Sequence, residues 1–240
     1  MSELYSLLRT QQYSGRGIIL GTTPAGRVAI AYFIMGRSAS SRARRFVRMG
    51  DDLVIKYTAD KDPEHAELII YSPIRVLGNR VIVTNGDQTD TVYDALVLGG
   101  SFESALATRC FEPDPPHFTA RISGLVTLEN GAPSFELSVL KAGDAEGSVC
   151  NRYFYRYEAQ PGKAHYIHTY MGGTQVLKTF SGEPWEVDLT DDIDLFTETV
   201  WNGINEDNKV ALYVRFIDPE TAEYEDRLIN KYEEGNGGTK

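Results

Sequence analysis

Five arginines lie within a stretch of twelve residues in a chain that carries a formal net charge of −10: Arg37, Arg42, Arg44, Arg45 and Arg48. A guanidinium group matches phosphate oxygens through two parallel hydrogen bonds. A local basic region in an acidic protein suits a small anion better than a polymer. The cluster therefore indicates a pocket for one phosphate monoester. The alternative is a solvated helix face whose arginines pair with acidic neighbours.

Two further polar segments have the composition of a ligand site. Residues 84–90 place amide, hydroxyl and carboxylate groups before a predicted helix, where they can read a heterocycle or a ribose. The alternative is an ordinary turn with a helix cap. Residues 112–121 contain three prolines, which restrict the backbone. We expect Glu112 and Arg121, at the two ends of this segment, to face one pocket, unless it is a simple connecting loop.

Other chemistries are poorly supported by the sequence. His165 and His168 lie three residues apart in a strand-like segment, so they should point to opposite faces and not share a metal ion. The glycines near Arg16 have the wrong spacing for a dinucleotide loop and precede a strand pattern instead of a helix. The chain has no P-loop and no nucleophile elbow. We therefore predict neither a metal site nor a cofactor.

Strand patterns dominate the elements that must position these residues. Residues 17–35 form a hairpin around a turn at residues 23–26, Asn130-Gly131 marks a second hairpin, and Pro161-Gly162 marks another turn. The predicted strands cover residues 17–21, 27–34, 53–58, 67–76, 80–84, 121–128, 135–140, 153–158, 164–170 and 210–217.

Helical patterns are fewer. Residues 91–108 predict one broken helix or two, residues 189–204 predict a helix capped by Asp188 or Thr190, and residues 38–48 predict a short helix. Antiparallel hairpins with few helices define an α+β protein, in which two sheets pack face to face with helices outside. We expect a single domain over residues 1–232, followed by a flexible tail at 233–240.

Composition excludes several classes of protein. An acidic chain is repelled by phosphate backbones, so nucleic-acid binding is not expected. No apolar run approaches the length of a membrane span, and the first twelve residues lack the pattern of a secretory signal. Two cysteines cannot form a disulfide framework, and we expect both to be reduced thiols in a cytoplasmic protein.

Four short motifs, in this order, resemble the archaeal-type IMP cyclohydrolase family. They are Tyr13-Ser14-Gly15-Arg16, then Gly36-Arg37-Ser38 with Arg42, then Thr84-Asn85-Gly86 with Thr89-Asp90, and then Thr119-Ala120-Arg121-Ile122. Tyr71 lies in a strand pattern between the second and third motifs, where the family has a tyrosine. The motifs cover about the first half of the chain, and each is weak without the others.

This resemblance implies a four-layer αββα sandwich similar to the N-terminal nucleophile hydrolases, without their nucleophile. It also implies a homo-oligomer. The implied reaction closes the formamido-imidazole-carboxamide ribotide (FAICAR) to inosine monophosphate (IMP) with loss of water, at the end of purine synthesis. This intramolecular reaction uses no cofactor, and the expected partner is the small-molecule ribotide.

The resemblance, with the chemistry of each side chain, also predicts roles. Tyr71 and Glu112 are expected to transfer protons, and Arg37 or Arg42 to polarise the formyl oxygen. The predicted substrate-binding residues are Arg16, Asn85, Gly86, Thr89, Asp90 and Arg121. Arg16 is assigned to the phosphate, together with Arg37 or Arg42.

Two other functions remain open. One is a purine-nucleotide-binding protein without catalysis, which would keep the arginines and the Asn85 segment. The other is an amidohydrolase of related fold in which Ser2 becomes the nucleophile after removal of Met1. The polar residues after Ser2 do not resemble a strand that would fix it, which disfavours this second alternative.

Overall fold

A computed structural model describes residues 3–58, 70–129, 131–172 and 177–232. Its helices are α1 (Glu3–Thr10), α2 (Ala39–Arg42), α3 (Gln88–Val97), α4 (Phe102–Ala107) and α5 (Ile193–Gly203). Its strands are β1 (Arg16–Thr22), β2 (Val28–Met35), β3 (Arg44–Met49), β4 (Asp52–Tyr57), β5 (Ile74–Leu77), β6 (Arg80–Thr84), β7 (Arg121–Glu129), β8 (Ala132–Ala142), β9 (Cys150–Glu158), β10 (Lys163–His168), β11 (Trp185–Asp188), β12 (Lys209–Ile217) and β13 (Tyr224–Asn230).

The strands form two antiparallel sheets. The six-stranded sheet has the order β11-β10-β1-β2-β12-β13, and the seven-stranded sheet has the order β3-β4-β5-β6-β7-β8-β9. The seven-stranded sheet runs in chain order because each of its strands pairs with the next one along the chain, and α3 and α4 lie in the connection between β6 and β7. The six-stranded sheet instead joins the N-terminal hairpin β1–β2 to strands from the second half of the chain.

The largest apolar cluster lies between the two sheets. Ile18, Ile30 and Ile34 of the six-stranded sheet pack there with Phe46 and Val83 of the seven-stranded sheet, all nearly inaccessible to solvent. Alternate residues point to opposite faces of a strand, so both sheets have a second apolar face to cover.

Helices cover both outer faces. A second cluster joins α1 and α5 to the outer face of the six-stranded sheet through Leu4, Leu8 and Phe196. A third joins α3 and α4 to the outer face of the seven-stranded sheet through Val92 and Phe102. The predicted α+β class with two face-to-face sheets is therefore confirmed. No helix among the described residues combines the length and the apolar character needed to cross a membrane.

Most predicted strands are present, with shifts at their ends. Residues 80–84 match β6 residue for residue, and the hairpins β1–β2 and β7–β8 are confirmed. The broken helix at residues 91–108 is two helices, α3 and α4, because Gly99 adopts a positive φ of 81° between them. Helix α5 is present, but Asp192 caps it in place of Asp188 or Thr190.

The short helix predicted over residues 38–48 is wrong in its second half. Helix α2 ends at Arg42, and residues 44–49 form the edge strand β3. Alternation explains the difference, because Arg44 and Phe46 are buried whereas Arg45 is exposed and Val47 is only half-buried. Sequence reasoning also missed α1, β11 and β13, whose patterns are short or rich in charged residues.

Several sequence-based predictions lie outside the described residues. They concern Ser2, Asn130, the first part of the strand predicted over residues 67–76, and the tail at residues 233–240.

Candidate active site

Charged and phenolic side chains converge at one end of the layer between the sheets. At this end β1 begins at Arg16, β3 begins at Arg44 and β7 begins at Arg121, while β6 and β10 end. Antiparallel pairing explains the convergence, because it brings the first residues of some strands beside the last residues of their neighbours. Connecting segments then complete the site, including the loop that carries Glu112 between α4 and β7.

Two tyrosine hydroxyls meet across the sheets at this end. The Oη atoms of Tyr32, on β2, and Tyr71, just before β5, lie 2.7 Å apart. Tyr32 is fully buried and Tyr71 is 7% exposed. Burial raises the pKa of Tyr32 well above its ordinary value, and Tyr71 raises it further, while the nearby Arg16 opposes the shift. The Tyr32 hydroxyl therefore remains protonated at neutral pH.

Arg16 and Glu112 form the charged centre of the site. Burial lowers the pKa of Arg16, but the Glu112 carboxylate and the surrounding tyrosines more than offset this, so the net shift is strongly upward. Burial raises the pKa of Glu112, and the guanidinium groups of Arg16 and Arg121 oppose the shift without cancelling it. The result is a fixed cation beside a carboxylate that binds a proton more readily than an exposed glutamate does.

A second buried arginine stands beside this centre. Arg44 is 3% exposed. Its Nε donates to the carbonyl of Ser41 at 2.8 Å, and its Nη2 donates to the carbonyl of Met35 at 3.1 Å. Burial lowers its pKa, and repulsion from Arg16 lowers it further. Two neighbouring guanidinium groups create a positive potential that suits an anionic or strongly polarised ligand.

The loop that carries Glu112 is held by hydrogen bonds within itself. The backbone N–H of Glu112 donates to the carbonyl of Thr119 at 2.8 Å. The Asp114 carboxylate accepts from the Thr119 backbone N–H at 2.7 Å and from the Thr119 hydroxyl at 2.5 Å. Since the Thr119 hydroxyl proton is used in this way, its oxygen accepts from the hydroxyl of Tyr170. Burial raises the pKa of Tyr170, and the charge of Arg16 opposes this rise.

Arg121 connects this centre to the start of α3. Its Nη1 lies 2.6 Å from Gln88 Oε1 and 2.6 Å from Asp87 Oδ1. A Cβ added at Gly86 would lie 2.5 Å from Arg121 Nη1 and 2.6 Å from Gln88 Oε1. Only glycine therefore allows the guanidinium of Arg121 to lie so close to the backbone at this position.

Three charged side chains of the site keep polar atoms unpaired. Among the described residues, no hydrogen-bond partner reaches the buried atoms Arg16 Nε, Arg121 Nε or Glu112 Oε1. Most buried polar atoms in folded proteins have a hydrogen-bond partner. Three unpaired atoms in one place therefore lower stability and indicate a functional site. These atoms can bind the donors and acceptors of a polar ligand.

Comparison with models of protein families assigns this chain to a family. The model described as IMP cyclohydrolase-like protein matches residues 13–222, which is most of the chain and includes every element of the site. The chain belongs to the IMP cyclohydrolase-like protein family. The family resemblance found in the sequence motifs is therefore confirmed.

Individual relatives agree with the family assignment. An IMP cyclohydrolase of Methanocella arvoryzae is 38% identical over 96 residues, 40% of this chain and just under half (46%) of the relative. One of Methanococcus maripaludis is 26% identical over 163 residues, covering 66% of this chain and 74% of the relative. One of Methanopyrus kandleri is 31% identical over 154 residues, covering 59% and 75%.

The two arginines that the family motif places after Gly36 lie at the rim of the site. The exposed Arg37 guanidinium lies 4.8 Å from the ring centroid of Tyr13, which stacks on Tyr170. Arg42 is occupied by the backbone, because its Nε donates to the carbonyl of Gly36 at 3.0 Å. Its Nη2 lies 3.4 Å from Asn208 Oδ1. Among the residues that the structure describes, no hydrogen bond or ion pair occupies the Arg37 guanidinium, whereas Arg42 holds the loop.

The side chains of the Asn85 segment of the family motif are buried and hydrogen-bonded within the protein. Asn85 is fully buried, and its side chain donates to the carbonyl of Ala120 and accepts from Gln88 Nε2 and the N–H of Ile122, all within 2.9 Å. The buried Thr89 hydroxyl bonds Thr84 Oγ1 at 2.6 Å and the carbonyl of Gly86 at 3.0 Å. These side chains order the loop that supports Arg121. Their predicted substrate contacts stay predictions.

Asp90 lies on the exposed side of the same helix turn. Its Oδ1 forms an ion pair with Arg75 Nη1 at 2.7 Å, at the surface. The structure therefore brings Tyr71, Glu112, Arg16 and Arg121 together at one centre and leaves Asp90 outside it.

Sequence reasoning missed Tyr32, named Arg44 only as one member of the arginine cluster, and missed Tyr170. Alternation carried a usable signal for the first two, since Tyr32 follows Ile30 and Arg44 precedes Phe46 on faces that pack between the sheets. No comparable signal marks Tyr170, because it lies just beyond the end of β10.

The two histidines point to opposite faces, as predicted. His165 stacks on Tyr157 with the ring centroids 3.4 Å apart, whereas His168 packs against Tyr166 and Trp185. His168 Nδ1 lies 2.8 Å from the carbonyl oxygen of Tyr170, so this nitrogen carries the proton. Burial lowers the pKa of His168 to about 4. It is a neutral core residue that fixes the segment leading to Tyr170.

Proposed function

We propose that this protein is an IMP cyclohydrolase that closes FAICAR to IMP with loss of water. The observation that carries the proposal is the buried Glu112 carboxylate beside Arg16 and the Tyr32–Tyr71 pair, in a chain of the IMP cyclohydrolase-like family. A base, a cation and a phenol are the groups that this ring closure needs, and no electron transfer takes place in it.

The reaction forms one bond and breaks another within a single molecule. The carboxamide nitrogen attacks the formyl carbon and loses a proton, and the formyl oxygen gains a proton to become a hydroxyl group. Loss of this hydroxyl group with a further proton as water then gives the purine ring. Holding the two substituents in contact contributes to the rate enhancement, because it selects the conformer in which the carboxamide nitrogen and the formyl carbon are correctly oriented.

Glu112 is the general base in this proposal. An amide nitrogen is a poor nucleophile, so removal of its proton must accompany the attack. Burial brings the pKa of Glu112 closer to neutrality than that of an exposed glutamate, which makes it a better base once it is ionised. The hydrogen bonds that hold its loop keep the carboxylate in place.

Tyr71 is the general acid, and Tyr32 supports it. A neutral phenol can give its proton to the departing hydroxyl group. The Tyr32 hydroxyl, 2.7 Å away, can donate to Tyr71 Oη and stabilise the negative charge that grows there. Tyr32 is a positioning residue in this proposal, since it acts through Tyr71.

The arginines divide between the reacting groups and the phosphate. Arg16 lies beside Glu112 and Tyr71, a position from which a cation stabilises the charge that develops on the formyl oxygen. Arg37, exposed at the rim, suits the 5′-phosphate, which remains partly hydrated. Arg42 supports the Arg37 loop by bonding to its backbone, or it acts as a second ligand of the phosphate. These assignments refine the sequence-based prediction that Arg37 or Arg42 polarises the formyl oxygen.

Arg121 and the Asn85 segment are proposed to bind the base and the ribose. Arg121 has a free Nε at the centre, so it can donate to a carbonyl oxygen of the substrate. Asn85, Thr89 and Gly86 maintain this geometry, and Asp90 is proposed to contact the ribose from the outer side of the turn.

The wider properties of the protein are part of the same proposal. Two sheets between helical layers support a likeness to the N-terminal nucleophile hydrolase fold, with Glu112 and Tyr71 in place of a nucleophile. A homo-oligomer in the cytoplasm, with the ribotide as its small-molecule partner, fits a purine-synthesis enzyme.

Incubation of the purified protein with FAICAR tests the proposal, with IMP formation followed by absorbance and by chromatography. Binding of IMP without conversion of FAICAR would instead identify a nucleotide-binding protein. Intact mass and a Ser2→Ala variant test the amidohydrolase alternative, which requires removal of Met1 and an essential Ser2.

A further inference from the structure

The two cysteines of the chain lie next to each other, although 40 positions separate them in the sequence. Cys110 follows α4 at the start of the loop that carries Glu112, and Cys150 is the first residue of the edge strand β9. Both are free thiols, and the thiol of Cys150 is within interaction range of that of Cys110. The loop and the sheet edge thus meet at a pair of sulfur atoms.

The positively charged side chain of Arg152 contacts both cysteines through hydrogen bonds. Its Nη2 lies 3.6 Å from Cys110 Sγ and donates to the carbonyl of Arg109 at 2.8 Å. Its Nη1 donates to the carbonyl of Cys150 at 3.2 Å. The same guanidinium therefore holds both backbone segments together and donates to the sulfur of Cys110.

We propose that Cys110 and Cys150 are a redox-responsive pair that forms an intramolecular disulfide by exchange with a low-molecular-weight disulfide such as oxidised glutathione. Because Arg152 contacts both the Cys110 sulfur and the Cys150 carbonyl, the two cysteines already lie close to each other. It closes a loop of about 40 residues and ties the start of the Glu112 loop to the seven-stranded sheet.

The exchange proceeds in two balanced steps. The Cys110 thiolate attacks one sulfur of the glutathione disulfide, forms a mixed disulfide and releases one glutathione thiolate. The Cys150 thiol then loses its proton and attacks the Cys110 sulfur, which forms the protein disulfide and releases the second glutathione. The protein loses two hydrogen atoms, and the small disulfide is reduced to two thiols.

Exposure and charge assign these two roles. Cys110 is exposed and lies beside the Arg152 guanidinium, so it can meet a small disulfide in solution. Cys150 is half-buried, and burial together with the neighbouring Cys110 raises its pKa. It is therefore the poorer external nucleophile and acts after the mixed disulfide has formed beside it.

Mass spectrometry of the native protein tests the proposal. After treatment with oxidised glutathione, the wild type should lose two hydrogen atoms, and its peptide map should show a Cys110–Cys150 link. The Cys150→Ser variant should retain one glutathione on Cys110. The Cys110→Ser variant should react at least tenfold more slowly, because the remaining thiol is half-buried.

Thermal unfolding provides a readout that does not depend on catalysis. Oxidation should raise the Tm of the wild type by roughly 4–16 °C and leave the Cys110→Ser/Cys150→Ser double variant unchanged. A stable glutathione adduct on wild-type Cys110, or disulfide-linked dimers on non-reducing gels, would overturn the proposal. A failure of FAICAR conversion would not affect this test.

Discussion

The hydroxyl oxygen of Tyr32 on β2 lies 2.7 Å from that of Tyr71 in the segment before β5, at the end of the interior where Arg16 and Glu112 meet. This contact links the two halves of the sandwich through a pair of protonatable groups. Only one of the two hydroxyls can donate to the other, so the second proton is available to a ligand or another acceptor.

The tyrosine pair predicts unequal kinetic effects. Tyr71→Phe should lower kcat by roughly 10²–10⁴-fold, the range for a general acid. Tyr32→Phe should lower kcat by about tenfold, because it removes one hydrogen bond that supports the acid. Steady-state assays with FAICAR measure both. Tyr155→Phe is the matched control, since its hydroxyl bonds the carbonyl of Gly182 away from the site, and it should keep wild-type kcat. Equal effects of the first two variants would contradict the assignment of roles.

The raised pKa of Glu112 predicts the pH dependence of catalysis. A general base must be ionised, so kcat/KM should fall as the pH falls through a pKa above the ordinary value of 4.5. Glu112→Gln should lower kcat by roughly 10²–10⁴-fold and remove this acid limb. The exposed Glu129→Gln is the control. An acid limb that persists in Glu112→Gln would assign the titration to another group.

The same shift has a consequence for stability. The folded state binds the Glu112 proton more tightly than the unfolded chain does, so this group favours folding most strongly below pH 4.5. Its contribution is lost as the pH rises through the raised pKa of the folded state. Denaturant titrations should therefore show a smaller decline in the free energy of unfolding over this range for Glu112→Gln than for the wild type. Identical pH profiles would contradict the shift.

Substitutions of the arginines should distinguish a residue that binds the phosphate from one that acts on the reacting groups. Arg37→Ala should weaken IMP binding by about 10–150-fold, since one charge-assisted contact contributes roughly 1.5–3 kcal/mol, and should change inosine binding little. Arg16→Ala should weaken binding of both ligands, because Arg16 lies beside the reacting groups. Arg45→Ala, exposed on β3, is the control. Isothermal titration measures all three, and equal losses for IMP and inosine in Arg37→Ala would exclude a phosphate role.

Asn85 should matter for stability as well as for activity. Its three hydrogen bonds lie in the interior, so Asn85→Ala should lower the free energy of unfolding by about 2–3 kcal/mol. Gln160→Ala, at an exposed amide, should change it by less than about 0.5 kcal/mol. Denaturant titration compares the two. Wild-type stability in Asn85→Ala would mean that the amide is not part of the structural network.

Local patterns predicted the strands well because alternation and turn residues act over a few positions. The turn at residues 23–26 is sufficient to define the β1–β2 hairpin, and alternating exposure could have identified β3. The site was predicted only in part, since its assembly depends on pairings that no local pattern specifies. Tyr170 reaches Thr119 because β10 pairs with β1, and this pairing joins segments almost 150 residues apart.

Conversion of FAICAR by the purified protein tests the central claim most directly. Wild-type protein in a buffer with chelator should produce IMP at a rate proportional to enzyme concentration, and Glu112→Gln with unchanged Tm should produce it at least 100-fold more slowly. If the wild type binds IMP but leaves FAICAR unconverted, or if Glu112→Gln converts it at the wild-type rate, the proposed activity or the proposed base is wrong.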